Sequence, residues 1–336
     1  MKILITGTAG FIGSYLARRL ASRGDNVIGI DCINDYYDVN LKYARLEWGG
    51  ISREHIIYGQ EVSSSKFPSY TFIQLKLEDE EGMKALFDKY AFDVVVNLAA
   101  QAGVRYSIKN PQAYITSNMR GFTNVLECCR ASESVRHLVY ASSSSVYGGN
   151  KKVPFAEDDR VDDPASVYAA TKRSNELLAH VYADLYGLNS TALRFFTVYG
   201  PWGRPDMAPW LFADAILHDK PIRVFNNGNL SRDFTYIDDI IEGVVRTVDA
   251  EVTSTRSEIY NIGCGHPVQL MDFIHTIEEK LGKEAIKEFV PMQKGDVYQT
   301  YADITKFERD FGYVAQTSLK EGISQQMDWF TMFLKK

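Results

Sequence analysis

The sequence predicts an α/β fold in which a doubly wound parallel sheet is followed by a smaller α/β lobe. Three observations predict it. Short apolar runs alternate with longer stretches at helical period through the first half of the chain, as is typical of a parallel sheet covered by helices on both faces. A glycine-rich turn follows the first apolar run directly. Prolines, several beside glycines, divide the second half into short segments, which favours a smaller lobe over a second large sheet.

The elements of the first half follow from these periods. Short apolar runs predict buried parallel strands at residues 3–5, 27–30, 72–75, 94–98 and 138–140. Helical period predicts helices that include residues 12–22 and 82–90. Residues 35–69 form a long stretch rich in Tyr, Gly and Ser without a sustained period. We interpret this stretch as an insertion with one short helix near residues 41–48, and such insertions are usually functional loops or poorly ordered.

Composition limits the classes of function. The chain has 336 residues, 45% of them hydrophobic, which is enough for one large domain or two lobes. The net charge of -6 argues against nucleic acid or an anionic membrane as the main partner. No stretch approaches the roughly 18 apolar residues of a membrane span. The four cysteines show no C-x-x-C spacing, so we expect reduced thiols, no metal site and a cytoplasmic protein.

The glycine-rich turn predicts a dinucleotide site. Gly7, Gly10 and Gly13 lie between the first strand and the first helix, where glycines allow a tight turn and a close approach of a pyrophosphate to the helix N-terminus. Asp31 lies at the end of the second strand, 18 residues beyond Gly13. A carboxylate there accepts both hydroxyls of the adenosine ribose and repels a 2′-phosphate. The sequence therefore predicts a Rossmann-type domain that binds NAD and not NADP.

The spacing of these glycines, G-x-x-G-x-x-G, resembles the extended form of the short-chain dehydrogenase/reductase superfamily. The resemblance implies further cofactor contacts from Phe11, Ile12, Asn34, Leu77, Leu98, Ala99, Ala100, Gln101, Tyr168 and Lys172. One position departs from the family, which usually places an Asp after the third strand to bond the adenine. Lys76 stands there, so either Glu78 or Asp79 takes this role or the adenine is held by backbone alone.

Tyr168 and Lys172 are the first candidate catalytic residues. Four positions apart on a helix, their side chains share one face. A tyrosine with its reference pKa of about 10 is a poor base at neutral pH. The lysine ammonium and the positive nicotinamide ring stabilise the phenolate and so lower that pKa. Tyr168 can then take a proton from a substrate hydroxyl while hydride leaves the same carbon.

A run of serines follows the fifth predicted strand, at the sheet edge where ligands bind. By resemblance, Ser143 is the catalytic hydroxyl that bonds the reacting oxygen and helps pass its proton to Tyr168. Sugar-nucleotide dehydratases of the superfamily carry an acidic pair at the positions of Ser144 and Ser145. Two serines cannot serve as the acid and base of water elimination, so the sequence disfavours a dehydratase.

The second half resembles the UDP-glucuronate 4-epimerase group of nucleotide-sugar epimerases. Residues 194–208 carry this resemblance, together with residues 35–42 and 100–107. The resemblance implies that Arg232 grips the UDP pyrophosphate, for which an arginine fork is suited, and that Asp296 bonds a ribose. We therefore expect an isomerase with tightly bound NAD that converts UDP-glucuronate to UDP-galacturonate through a transient 4-keto sugar.

Neutral hydroxyls bear on the choice of sugar. Ser144, Ser145 and Thr197 offer donors to a C5 carboxylate, and Arg204 matches an arginine that anchors the sugar. The same hydroxyls could hold a neutral hydroxymethyl group. A 4-epimerase of UDP-N-acetylhexosamine or UDP-glucose therefore stays open, as does an oxidoreductase or decarboxylase that releases the keto intermediate.

The organisation of the whole chain is also expected from these segments. Residues 1–175 mainly form the NAD-binding domain, with the insertion at 35–69, and residues 176–336 mainly form the substrate lobe. The resemblance implies that the chain crosses between the lobes. It also implies a homodimer that pairs through the helix near residues 111–131 and the helix carrying Tyr168. The expected partner is a UDP-sugar.

Overall fold

The computed structural model describes residues 1–251, 256–293 and 297–334. Its strands are β1 (Lys2–Thr6), β2 (Asn26–Asp31), β3 (Glu61–Ser63), β4 (Tyr70–Gln74), β5 (Val94–Asn97), β6 (His137–Ser143), β7 (Ser190–Phe195), β8 (Thr197–Tyr199), β9 (Pro221–Phe225), β10 (Ser231–Tyr236), β11 (Ser257–Ile262), β12 (Pro267–Gln269) and β13 (Ile286–Val290). Its helices are α1 (Phe11–Ser22), α2 (Val39–Trp48), α3 (Glu80–Lys89), α4 (Val104–Lys109), α5 (Pro111–Tyr114), α6 (Gly121–Ala131), α7 (Val167–Tyr186), α8 (Ala208–Leu217), α9 (Ile237–Asp249), α10 (Leu270–Leu281), α11 (Thr305–Phe311) and α12 (Leu319–Phe333).

Within the described residues, eight strands form one sheet in the order β11-β7-β6-β5-β1-β2-β4-β3. β1 pairs in parallel with β2 and β5, and the pairs β2–β4 and β5–β6 are parallel as well. The five strands predicted from apolar runs are confirmed as β1, β2, β4, β5 and β6. Their apolar residues are buried on both faces, as continuous apolar runs in a parallel sheet require. The predicted α/β fold with a large, mostly parallel sheet is confirmed.

The insertion is an ordered part of this sheet. Its helix, α2, lies where the sequence predicts a short helix, and Asp38 caps it by accepting a hydrogen bond from Asn40 N. β3 then pairs antiparallel with β4, so the insertion supplies the edge strand. The Ser64 hydroxyl closes the segment by donating to the Gly49 carbonyl at 2.7 Å. The expectation of a loop without further secondary structure is therefore corrected, because the missed strand β3 is too short for its period to show.

Smaller sheets lie in the second half of the chain. β10 pairs in parallel with β8 and antiparallel with β12, and β9 pairs in parallel with β13. Phe234 of β10 stacks on Phe273 of α10 with ring centroids 4.0 Å apart. These short strands and helices form the small α/β core that the proline-rich pattern predicts.

The chain divides into two compact units. The first comprises Met1–Gly148, Val161–Arg194 and Gly243–Tyr260, and the second comprises Gly149–Arg160, Phe195–Glu242 and Asn261–Lys336. Each unit therefore consists of three separate stretches of chain. Among the described residues, no helix combines the length and the apolar character that crossing a membrane requires.

Candidate functional site

The glycine turn between β1 and α1 brings bare backbone into close contact. Gly7 has φ +80°, and a Cβ there would lie 2.9 Å from the Ala99 nitrogen at the end of β5. A Cβ on Gly13 would lie 2.1 Å from the Gly7 carbonyl oxygen. Gly10 caps α1 without a side-chain hydrogen bond, so the first N–H groups of the helix face the turn. This geometry suits a pyrophosphate bound by backbone at a helix N-terminus.

Asp31, at the end of β2, joins the glycine turn to the next loop. One carboxylate oxygen accepts from Ala9 N at 3.1 Å, and the other accepts from Ile33 N at 2.8 Å. A carboxylate offers about four lone-pair positions. The two that remain can accept ribose hydroxyls, as the sequence predicts for this residue.

Two buried cations of the insertion support the same loops, and the sequence reasoning gave them no role. Arg45 of α2 donates to the Ala9 carbonyl at 3.2 Å and to the Tyr37 hydroxyl at 2.6 Å. Lys42 donates to both the backbone and side-chain oxygens of Asn34. Three positions apart on a helix, the two cations lie on one face. This spacing within the predicted helix was the signal that could have identified them.

The segment after β5 lies opposite the glycine turn. Thr6 Oγ1 accepts from Ala99 N at 2.9 Å and donates to Asn97 Oδ1 at 2.7 Å. Gln101 N donates to Asn118 Oδ1, and Gln101 Oε1 lies 3.5 Å from Asn34 Nδ2. The structure thus brings the predicted cofactor residues of the first unit to one sheet edge: Gly7, Gly10, Phe11, Ile12, Gly13, Asp31, Asn34, Leu98, Ala99, Ala100 and Gln101.

The predicted adenine end lies between β4 and α3. Leu77 is buried, and its carbonyl accepts from Asn124 Nδ2 at 2.8 Å. Asp79 caps α3 by accepting from Gly82 N at 3.0 Å, and it also accepts from the Tyr58 hydroxyl. Each oxygen of Asp79 thus accepts one bond and keeps a second lone-pair position. The adenine contact therefore stays a prediction, with Glu78, Asp79 and the backbone as the alternatives.

The predicted catalytic residues lie on neighbouring elements of the first unit. Ser143 ends β6, and its Oγ accepts from Ser145 Oγ at 2.9 Å. Ser166 caps α7 and so places Tyr168 and Lys172 in its first two turns. Lys172 Nζ lies 6.0 Å from the ring centroid of Tyr168. A cation at this distance from the ring can stabilise the Tyr168 phenolate.

Lys172 is held by the backbone of the serine strand. Its Nζ donates to the Ala141 carbonyl at 2.8 Å, two residues before Ser143. Burial lowers the pKa of Lys172 to about 8, and the negative charge of Glu176 opposes this shift. The ammonium form therefore prevails at neutral pH but gives way a short distance into the alkaline range.

Beneath these residues lies a polar cluster formed by Ser142, Glu176 and Arg194. Both nitrogens of the Arg194 fork donate to Glu176 at 2.9 Å, and the Ser142 hydroxyl donates to the same carboxylate at 2.6 Å. Sequence reasoning missed this cluster. Two signals could have found it: an arginine inside the apolar run of β7, and a carboxylate four residues beyond Lys172.

The remaining predicted residues have separate surroundings. Ser144 and Ser145 form a 3₁₀ turn after β6 in the first unit. In the second unit, Thr197 begins β8, and Arg204 forms a bidentate pair with Asp206. Arg232 Nη1 donates to the carbonyls of Ser231 and Tyr298 at 2.8 and 3.3 Å. Asp296 lies outside the described residues.

Comparisons with known proteins agree with this geometry. The family described as NAD dependent epimerase/dehydratase matches residues 3–263. Protein CapI of Staphylococcus aureus is 48% identical over 351 residues and 100% of both chains, and a probable UDP-glucuronate 4-epimerase of Rhizobium meliloti is 44% identical over 98% of this chain and 97% of that one. The crystal structure of UDP-glucuronic acid 4-epimerase from Bacillus cereus with UDP-glucuronic acid and NAD superposes with a TM-score of 0.89, at 34% identity, over 99% of this chain and 100% of that one.

A glycine turn, an acid at the end of β2 and a Tyr–Lys helix on one parallel sheet define an NAD-binding enzyme of the extended short-chain dehydrogenase/reductase type. The match extends over most of the chain. The protein belongs to the NAD dependent epimerase/dehydratase family.

Proposed function

We propose that this protein is an isomerase, a UDP-glucuronate 4-epimerase with tightly bound NAD. The placement of Tyr168 and Lys172 beside a serine turn supports this proposal most directly, since it provides for proton transfer. The turn carries Ser144 and Ser145 where a dehydratase needs an acidic pair, and this favours an epimerase over a dehydratase. Relatives named UDP-glucuronate 4-epimerase support the choice of substrate. The first unit is proposed to bind mainly NAD and the second mainly the UDP-sugar.

The chain's own residues provide the proton transfer. Tyr168 accepts the proton of the sugar's C4 hydroxyl. After the 4-keto sugar has turned in the site, Tyr168 returns the proton to the C4 oxygen. Lys172, as an ammonium, stabilises the Tyr168 phenolate that exists before the first transfer and after the second. Ser143 donates a hydrogen bond to the C4 oxygen and orients it towards Tyr168. When bound, NAD supplies reversible oxidation at C4 with no net redox change.

Recognition of the UDP-sugar is proposed for the residues that the sequence assigns to it. The hydroxyls of Ser144, Ser145 and Thr197 donate to the C5 carboxylate. Arg204 anchors the sugar. Arg232 binds the pyrophosphate through its guanidinium, and Asp296 bonds a ribose of the nucleotide.

A substrate panel tests the function. Purified, NAD-loaded enzyme is incubated separately with UDP-glucuronate, UDP-glucose and UDP-N-acetylglucosamine, and products are followed by NMR. We expect UDP-galacturonate from the first and much slower conversion of the other two. Absence of a galacto product from UDP-glucuronate contradicts the proposal. Steady NADH accumulation or release of CO₂ identifies an oxidoreductase or decarboxylase instead.

We also propose a cytoplasmic homodimer. Leu177, Val181 and Leu185 of α7 lie four residues apart on one helix face and are exposed, as is Ile115 ahead of α6. An exposed apolar stripe of this kind is typical of a protein–protein interface. Light scattering on the wild type and on Leu177→Glu/Leu185→Glu tests this: a wild-type mass near that of one chain contradicts the dimer.

The proposed cytoplasmic location is supported by the cysteines. All four are free thiols, as is typical of proteins in a reducing compartment.

A further inference from the structure

The ion pair between Glu176 and Arg194 is the most deeply buried in the first unit among the described ion pairs. The side chains are 0% and 1% exposed, and two bonds of 2.9 Å join them. Burying two charges costs several kcal/mol per ion, and apolar residues of similar volume are often at least as stabilising. Stability alone is therefore a weak explanation for charges at this place, and a role for the charge itself is worth testing.

The pair connects the two elements that carry the proposed proton-transfer residues. Ser142, next to Ser143 on β6, donates to Glu176 on α7 at 2.6 Å. Lys172, one turn earlier on α7, donates to Ala141 on β6 at 2.8 Å. Two consecutive residues of the strand are thus tied to the helix. Small shifts of such a constellation cost large factors in rate, because proton transfer requires hydrogen-bond geometry.

Arg194 extends the cluster to the serine turn. Its Nη1 donates to the Tyr147 hydroxyl at 3.0 Å, and its guanidinium lies 4.8 Å from the centroid of that ring. Tyr147 is the last residue of the 3₁₀ turn that begins at Ser144. Ser142 and Tyr147, at the two ends of the segment that contains Ser143, are therefore both bonded to one buried ion pair.

Two influences have opposite effects on the protonation of Lys172. Glu176 favours the ammonium form, and burial disfavours it. Glu176 itself is faced by Arg173 of α7 at 3.1 Å, by Arg194 of β7 and, on β6, by Ser142. Tyr140 of β6 lies within the field of Glu176, and Tyr147 accepts a hydrogen bond from Arg194. The Glu176 carboxylate acts on Lys172 as a negative charge, and the opposite charge of Arg194 lies directly against that carboxylate.

We propose that Glu176 and Arg194 are positioning residues for proton transfer: the buried pair fixes Ser143 and the serine turn against the helix that carries Tyr168 and Lys172, and its two charges act on those residues. The proposal rests on the proposed function for the role of Tyr168. It goes beyond that function by assigning the placement and electrostatic surroundings of Tyr168 and Lys172 to a pair that need not touch cofactor or substrate.

The two partners give shifts of opposite sign when each is neutralised. Glu176→Gln keeps the shape and removes a negative charge near both Lys172 and Tyr168, so both groups lose their protons more easily. We expect the acid limb of the pH profile of kcat/KM to move down by roughly one pH unit. Arg194→Met removes a positive charge and leaves the carboxylate less compensated, so the same limb moves up, by less because Arg173 stays beside Glu176.

A direct titration separates this inference from the proposed function. The phenolate absorbance of Tyr168 is obtained by subtracting the titration of the same protein carrying Tyr168→Phe. It is measured without substrate for the wild type, Glu176→Gln and Arg194→Met. Opposite shifts support the inference even if UDP-glucuronate is not a substrate. Equal titrations in all three proteins overturn it, and so do shifts of the same sign.

Two further proteins complete the test. Glu80→Gln is the matched control, since Glu80 forms a surface pair with Arg120 and both are more than half exposed; its profile should equal that of the wild type. If Glu176→Gln does not fold, the double variant Glu176→Gln/Arg194→Met replaces the pair by neutral side chains, a change that is often neutral in stability. Its limb should lie nearer to that of the wild type than the Arg194→Met limb does, and a limb at the position of the Arg194→Met limb contradicts the proposal.

Discussion

Removing the Arg45 guanidinium should loosen the protein's hold on NAD. Arg45 lies on the insertion helix α2 and is buried. It donates to the carbonyl of Ala9, whose N–H in turn donates to Asp31. One residue of the glycine turn is thus held from both sides, once by the predicted ribose acid and once by the insertion. Arg45→Met keeps the length of the side chain and removes both of its described donations, to Ala9 and to Tyr37.

The size of the effect follows from the bonds that are lost. A hydrogen bond that involves a charged group contributes about 1.5–3 kcal/mol. Of these two bonds, the one to Ala9 bears on the glycine turn directly. If its loss must be recovered when NAD orders the turn, NAD binds about 10- to 150-fold more weakly, since 1.4 kcal/mol corresponds to a factor of ten. Tyr37 lies within the insertion itself, so the loss of that bond affects folding stability instead.

The assay is NAD retention and affinity, with no turnover involved. Bound NAD is measured after purification, and the dissociation constant is measured by calorimetry on NAD-stripped protein. Arg53→Met is the matched control, because Arg53 lies in the same insertion, is exposed and donates to Asn40 at 3.0 Å. Retention by Arg45→Met equal to that of Arg53→Met, with only a lower melting temperature, refutes the reasoning.

The remaining predictions concern single sites. Tyr168→Phe should lose about 10²- to 10⁴-fold in turnover and keep NAD, because the hydroxyl serves proton transfer; near-normal turnover removes Tyr168 from the mechanism. Gly13→Ala places a Cβ 2.1 Å from the Gly7 carbonyl and should cost about 1–3 kcal/mol of stability together with NAD binding, measured by thermal unfolding with and without NAD. Burial lowers the pKa of His137 to about 4, so as the pH falls the unfolded chain takes up this proton first and stability is lost between about pH 6.5 and 4. The free energy of unfolding falls by roughly 3 kcal/mol between these two pH values. His137→Gln should remove most of this pH dependence, as measured by denaturant titrations at both pH values. An unchanged pH dependence contradicts the prediction.

The sequence was most informative where one physical requirement dominates a position. Buried parallel strands need continuous apolar runs, and β1 and β5 were therefore predicted to within a residue or two. Gly13 was predicted from the glycine motif, and the structure gives the physical reason for it, because a Cβ there would lie 2.1 Å from the Gly7 carbonyl oxygen. Tyr168 and Lys172 were predicted as neighbours because helical period alone puts them on one face.

Long-range polar partners could not be predicted in the same way. Arg45 and Ala9 are 36 residues apart, and Glu176 and Arg194 lie on different elements, so no local period joins them. A charged residue in an apolar run indicates that a partner exists, but not which one. The edge strand β3 was missed for a different reason, since three residues are too few to show alternation.

The order of the strands has a consequence for synthesis on the ribosome. β7 is the neighbour of β11 in the sheet, yet β7 ends at Phe195 and β11 begins at Ser257. At about 5–20 residues per second, roughly 3–12 seconds pass between the emergence of the two strands. During that interval the nascent sheet has an unpaired edge, which is where strands of other chains can add. A slower ribosome lengthens this exposure, so codon choice between residues 195 and 257 bears on the yield of folded protein.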